Sequence, residues 1–156
     1  MEIFGKSPVA WPELILGKIA LIICVFFFLL RTWIPGPMLF ESAATQALGI
    51  ALYAVGLILL FVAIAHLGRS TAVGLPDGAT NLKTQGLYRF SRNPIYVCGY
   101  LACTGSVLMS LHPVNILCLL ITMAVHHHII LREEVFLQNR FGEEWGEYRQ
   151  KVRRYI

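Results

Sequence analysis

The sequence predicts an all-α protein: a polytopic membrane helix bundle of about four transmembrane helices with a C-terminal amphipathic helix. Three observations predict it. Of 156 residues, 56% are apolar and only 14% charged, where a soluble domain is about a quarter charged. The apolar residues fall in runs of about 20, the length a helix needs to cross a hydrocarbon core. Beyond position 131 the chain becomes highly charged, and its remaining apolar residues recur at helical spacing. This composition excludes disorder, a collagen-like chain and a charged nucleic-acid tail, and it argues against a soluble enzyme. The chain reads as one membrane-embedded domain, 1–156.

The first span is expected over about 14–34, with Lys18 near one end, where its stem can snorkel. The second, about 45–67, contains no Lys, Arg, Asp or Glu. The third, about 95–111, is short and holds Gly99 and Gly105. The fourth is expected over about 114–131. His112-Pro113 between the last two reads as the turn of a helical hairpin. Glu2, Lys6 and Glu13 precede the first span without a small-residue cleavage site, so that span is expected to be retained. No CaaX cysteine marks a lipid anchor. Cys24, Cys98, Cys103 and Cys118 all fall in spans with no CxxC pair, and they read as small apolar residues rather than disulfides or zinc ligands.

Charge orients the bundle. The loop 68–94 carries Arg69, Lys83, Arg89 and Arg92. The tail 132–156 carries Arg132, Arg140, Arg149, Lys151, Arg153 and Arg154. With four spans both lie on the side of the N-terminus, and the opposite side receives only Arg31. The positive-inside rule then expects both termini and the loop in the cytoplasm. The net charge of +4 is an orientation signal and an attraction to headgroups, not a nucleic-acid footprint.

The tail repeats apolar residues at Leu137, Phe141, Trp145, Tyr148, Val152 and Tyr155, three or four apart, with Glu143, Glu144, Glu147, Arg149 and Arg153 on other faces. Such a helix lies on the membrane or caps the bundle. The loop is long for a connector, and long loops are often functional.

Three features have the residue types for chemistry. The segment 86–96 brings Tyr88, Arg89, Arg92, Asn93 and Tyr96 to the membrane boundary. Pro94 suits the first turn of a helix and Asn93 suits its cap. Free N–H groups there can hold a carboxylate or phosphate, with Arg92 as its counter-ion. The same residues also suit an interfacial aromatic and arginine belt. Next, Glu133 and Glu134 are adjacent carboxylates at a boundary. They need water, a cation or a polar pocket. Last, His126-His127-His128 cannot chelate one metal, because consecutive helical residues point about 100° apart. His126 shares a face with Glu133 and can line a polar pocket, as can His66, or these rings can bond between helices. No metal site is expected.

In this order the pieces resemble the membrane methyltransferases that include isoprenylcysteine carboxyl methyltransferase and the phospholipid methyltransferases. Where those have Arg-His-Pro-x-Tyr, this chain has Arg92-Asn93-Pro94-Ile95-Tyr96. Where they have Glu-Glu-x-x-Leu, it has Glu133-Glu134-Val135-Phe136-Leu137. Where they have Phe-Gly-x-x-Tyr-x-x-Tyr, it has Phe141-Gly142-Glu143-Glu144-Trp145-Gly146-Glu147-Tyr148. The resemblance covers the chain from Thr80 onward, and the first two spans match only in hydrophobicity.

The resemblance implies S-adenosyl-L-methionine as cofactor and a lipophilic, lipidated or membrane-lipid acceptor: an isoprenylcysteine-like carboxylate, a phospholipid amine or a small thiol. It implies that Thr80, Asn81, Leu82, Lys83, Tyr88, Asn93, Pro94, Ile95, Tyr96 and Glu133 hold the cofactor. The residue types agree. A sulfonium cation favours Glu133 or Glu134 and the faces of Tyr88 and Tyr96, and a carboxylate favours Arg92 and the N–H groups that open the third span. Glu134 or His126 would serve as base for an amine acceptor. The departure is Asn93 where the family usually has His. An amide can cap and hydrogen-bond, but it cannot titrate.

Two other readings stay open. Membrane sterol and steroid reductases have a similar C-terminal layout. Asn93 and Phe141-Gly142-x-x-Trp145 lean that way, and Lys83, Arg89 and Arg92 would serve the phosphates of NADPH. Pro94 and the Glu133-Glu134 pair fit the methyltransferases better. A non-enzymatic scaffold explains the hydropathy but leaves the polar boundary residues without a role. Oligomeric state is not set by the sequence.

Overall fold

A computed structural model describes residues 11–30, 33–40, 42–67 and 81–156. Their regular structure is helical: α1 (Trp11–Leu30), α2 (Ala43–Leu67), a 3₁₀ turn at Gly86–Arg89, α3 (Pro94–Ser110), α4 (Pro113–Phe141) and α5 (Glu143–Lys151). The helices α1, α2 and α4 are long and apolar enough to cross a membrane. Ile19, Ile22 and Leu29 of α1, Ile58 and Phe61 of α2, and Leu117 and Leu120 of α4 are exposed, as lipid-facing residues would be.

The expected bounds change for the first span, the fourth span and the tail. The first helix starts at Trp11 and ends at Leu30, where the N–H groups of Trp33 and Ile34 both turn back to the Leu30 carbonyl. The third expected span is a helix of 17 residues, roughly 26 Å long at 1.5 Å per residue and a little under the hydrocarbon thickness. The fourth does not stop where the hydropathy stops. Between Pro113 and Gly142 the chain has neither glycine nor proline, so α4 runs unbroken to Phe141. The tail is therefore the end of α4 plus a nine-residue helix α5, not one amphipathic helix over 132–156. Gly142 sets the break. Its φ of 51° and ψ of −116° are accessible to glycine and strained for a residue with a Cβ.

The bundle is organised around α3, which packs against α1, α2 and α4, while α1 also packs along α4. The α2–α3 seam is made of small residues. Gly49, Gly56 and Ala63 recur every seven residues on α2 and are buried, opposite Ala102 and Gly105 of α3. The backbones nearly touch. A Cβ on Gly105 would lie 2.4 Å from the Tyr53 nitrogen, and one on Gly56 would lie 2.5 Å from the Ala102 nitrogen. In lipid, where apolar burial between helices gains little, such close approach holds helices together.

A polar knot ties α1, α3 and α4. Ser106 Oγ donates to the Cys24 carbonyl at 2.6 Å, and Asn115 Nδ2 donates to Ser106 Oγ at 3.2 Å and Ser110 Oγ at 3.0 Å. The hairpin turn uses Leu111 in the left-handed region (φ 39°), and the His112 ring accepts from the Val114 N–H at 3.2 Å. All four cysteines are free and buried, and Cys24, Cys103 and Cys118 form the core with Val107. This knot lies toward the α3–α4 turn, and the residues with chemical potential collect at the other end of the same two helices.

Candidate functional site

The site is assembled at the N-terminus of α3, where the 3₁₀ turn, the late part of α4, α5 and residues 152–155 meet. Pro94 occupies the first turn of α3, as its ring geometry favours. Asn93 does not cap that helix through its side chain, contrary to expectation. Its Nδ2 donates instead to the Arg154 carbonyl at 3.1 Å, and its backbone N–H donates to Ser91 Oγ at 3.1 Å. The side-chain amide is turned so that its N–H meets the tail carbonyl, and its oxygen, the atom that would cap, accepts no helix N–H.

Two carboxylates on adjacent residues of α4 have opposite surroundings. Glu133 receives the Tyr96 hydroxyl, which donates toward Oε1 at 3.1 Å and Oε2 at 3.2 Å. Among the described residues no cation lies within ion-pair distance of it. Glu134 is buried and held by two guanidinium groups. Arg154 forks onto it through Nε at 3.0 Å and Nη2 at 2.8 Å, and Arg92 Nη2 lies 3.3 Å from Oε1. A bidentate fork of this kind is the strong form of the carboxylate pair.

Arg92 is the most constrained cation. Its side chain is 7% exposed, and its Cζ lies 5.6 Å from the centre of the Trp145 ring. Burial lowers its pKa, the Glu134 carboxylate opposes that, and the Arg154 and Arg149 charges add to the lowering. Its Nε and Nη1, and the Trp145 indole nitrogen, are buried donors without a partner among the described residues. Buried donors left unmatched are costly, so this corner is suited to an acceptor.

Aromatic rings cluster around Tyr96, the partner of Glu133. The Tyr96 ring centre is 5.5 Å from that of His126, and the Tyr100 ring is 6.5 Å from both His126 and Tyr155. His126 Nδ1 is 2.8 Å from the Thr122 carbonyl. A carbonyl only accepts, so Nδ1 carries the proton and Nε2 of the neutral ring is the acceptor. The three histidines diverge: His126 is buried, His127 meets the Tyr155 hydroxyl, and His128 lies 3.5 Å from Glu13.

The tail is fixed by one further bond. Tyr148 donates to the Tyr88 carbonyl at 2.7 Å, and both rings are buried. Burial pushes the Tyr148 phenol up to about 12, with Arg92 opposing, so it stays a donor through the neutral range. His66, a candidate either for the pocket or for a bond between elements, meets the 3₁₀ turn: its Nδ1 lies 3.5 Å from the Leu87 nitrogen, beside Gly86 at φ 64°.

Of the expected site residues, Tyr88, Arg92, Asn93, Pro94, Ile95, Tyr96, His126, Glu133 and Glu134 come together around the α3 N-terminus. Asn81, Leu82 and Lys83 precede the 3₁₀ turn and are not among the residues whose side chains meet there; Thr80 lies outside the described residues. Arg154, Trp145, Tyr100 and Tyr155 join the site unexpectedly. Arg154 was indistinguishable in sequence from Arg149 and Arg153, its equally basic neighbours.

A family model described as phospholipid methyltransferase matches residues 44–144, about two thirds of the chain. It reaches back through α2, further than the motifs from Thr80 onward. A 34-residue stretch is 41% identical to an uncharacterized protein of Haemophilus influenzae. That stretch is 22% of this chain and 54% of the other, so the chain spans about half the length of the curated relative it matches.

Proposed function

Because the chain belongs to the phospholipid methyltransferase family, we propose that it moves a methyl group from S-adenosyl-L-methionine to a lipophilic or membrane-associated acceptor. One observation carries the proposal: Glu133, with no cation in reach among the described residues, receives the Tyr96 hydroxyl, while the adjacent Glu134 pairs with a buried Arg92 whose Nε and Nη1 have no partner among them. A ligand that is cationic at one end and carboxylate at the other fits both. When bound, that cofactor would supply an electrophilic methyl on a sulfonium, which an acceptor lone pair can take with a neutral thioether as the leaving group.

The chain's own residues would supply alignment, charge and dryness. Tyr96 orients the Glu133 carboxylate toward the cationic end. Arg92 and the first-turn N–H groups of α3 receive the anionic end. In-line transfer then needs little besides orientation in a water-poor site. A carboxylate or thiolate acceptor needs no base. An amine must first lose a proton, and His126 Nε2 is the acceptor placed for it. Glu134, the other expected base, has both oxygens occupied by guanidinium groups and is less suited. For the reductase reading, Arg89 and Arg92 would share one phosphate cradle, yet Arg89 is exposed and Arg92 is buried against Glu134 and Trp145.

The test is transfer of labelled methyl from S-adenosylmethionine to each acceptor class by detergent-purified protein. His126→Ala is expected to abolish transfer to an amine while sparing a thiolate or carboxylate. No transfer to any class would count against the proposal.

We further place both termini and the cofactor site on the cytoplasmic side, with α3 completing a fourth crossing. The basic loop and tail support this. A C-terminal reporter active only in the cytoplasm is expected to be active, and a silent one beside an active reporter that works only outside the cytoplasm would reverse the orientation.

A further inference from the structure

Residues 152–155 form an extended strap that joins the two walls of the site. Val152 leaves α5 with extended geometry (φ −123°, ψ 132°). The Arg153 carbonyl then accepts the Arg92 N–H at 3.0 Å. The Arg154 carbonyl accepts Ser91 Oγ at 3.2 Å and Asn93 Nδ2 at 3.1 Å. These bonds fasten the strap to the chain entering α3. On the other side the Arg154 side chain forks onto Glu134 of α4, and Tyr155 meets His127 of α4. The residue before Glu134 is Glu133, which receives Tyr96 from α3. The strap therefore spans the same gap that the Tyr96–Glu133 pair closes.

We propose that Glu134 and Arg154 are positioning residues: their pair fastens residues 152–155 across the site and sets the N-terminal end of α3 against Glu133. Asn93 takes part by reading the strap backbone. The role rests on the methyltransferase reading above. It gives Glu134 a task that requires its charge but no proton transfer. It also makes a prediction that charge alone reverses. Arg154 is a cation near a site for a cation, so its removal would tighten sulfonium binding if only charge mattered. Loss of the strap weakens binding instead.

The experiment compares Arg154→Gln, Glu134→Gln and the double variant with wild type. Arg154→Gln leaves the Glu134–Arg92 pair in place, so it is the variant that keeps the buried guanidinium matched. In ligand-free protein, hydrogen exchange at the Arg92 amide is expected to quicken by about tenfold or more in Arg154→Gln, while the α2–α3 seam stays protected. Affinities for S-adenosylmethionine and for S-adenosylhomocysteine are both expected to fall roughly tenfold, and the double variant is expected to be no worse than the worse single. Turnover at saturating cofactor is expected to stay within about threefold of wild type. Unchanged Arg92 exchange in Arg154→Gln would overturn the strap. Loss of turnover at saturating cofactor in Glu134→Gln alone would overturn the positioning role and return Glu134 to the chemistry. A wild type with slow Arg92 exchange and no affinity for either sulfur compound would overturn the positioning role together with the methyltransferase reading, and the exchange result separates that case from failure of the strap.

Discussion

Glu133→Gln is expected to lower affinity for S-adenosylmethionine by about 10- to 100-fold, the effect of losing one charged partner in a partly desolvated site. Affinity for S-adenosylhomocysteine is expected to fall far less, because its sulfur carries no charge. The substitution keeps the shape and leaves the Tyr96 hydroxyl an amide oxygen to donate to. Tyr96→Ala should weaken both compounds, since it removes a ring as well as the hydroxyl. Calorimetry on folded protein with the two sulfur compounds checks this. Wild-type affinity of Glu133→Gln for both would remove Glu133 from the site, and an equal loss for both would mean that its charge does not face the sulfonium.

Gly105→Ala is expected to cost about 2–3 kcal/mol or more, at the upper end of overpacking. The added Cβ would lie 2.4 Å from the Tyr53 nitrogen and 2.6 Å from the Gly49 carbonyl oxygen, so backbone must move on both helices. Gly99 on the same helix is the control, because a Cβ there meets nothing within 4 Å. Gly99→Ala should be neutral or gain up to about 1 kcal/mol from helix propensity. Thermal unfolding in one detergent compares the pair. Equal melting temperatures would mean that α2 and α3 do not touch backbone to backbone. Since α3 carries Tyr96, the seam also sets where the site's first wall stands.

The membrane helices are legible in the sequence because hydropathy and length report one physical requirement, the crossing of a hydrocarbon layer. Their ends are less legible. Hydropathy falls at residue 131, but backbone hydrogen bonding continues until Gly142 interrupts it, so α4 carries Glu133 and Glu134 on a rigid helix. The order Arg92-Asn93-Pro94-Ile95-Tyr96 and then Glu133-Glu134 resembles that of the family, and the family match agrees. What the order cannot show is which neighbour each polar group meets. Glu133 and Glu134 look alike in sequence, yet one receives a phenol and the other two guanidinium groups, because successive helical residues face different partners. Asn93 reads as a cap from local rules, and a tail carbonyl from 61 residues away takes its amide. Gly105 is visible as a glycine, but its closeness to Tyr53 depends on how α2 and α3 meet.

The corner between Glu133 and Arg92 is proposed to hold a sulfonium amino acid. Titrating detergent-purified wild type with S-adenosylmethionine and, separately, with NADPH tests it most directly. Saturable heat with S-adenosylmethionine alone is the predicted result. Saturable heat with NADPH alone, from protein shown to be folded, would contradict it.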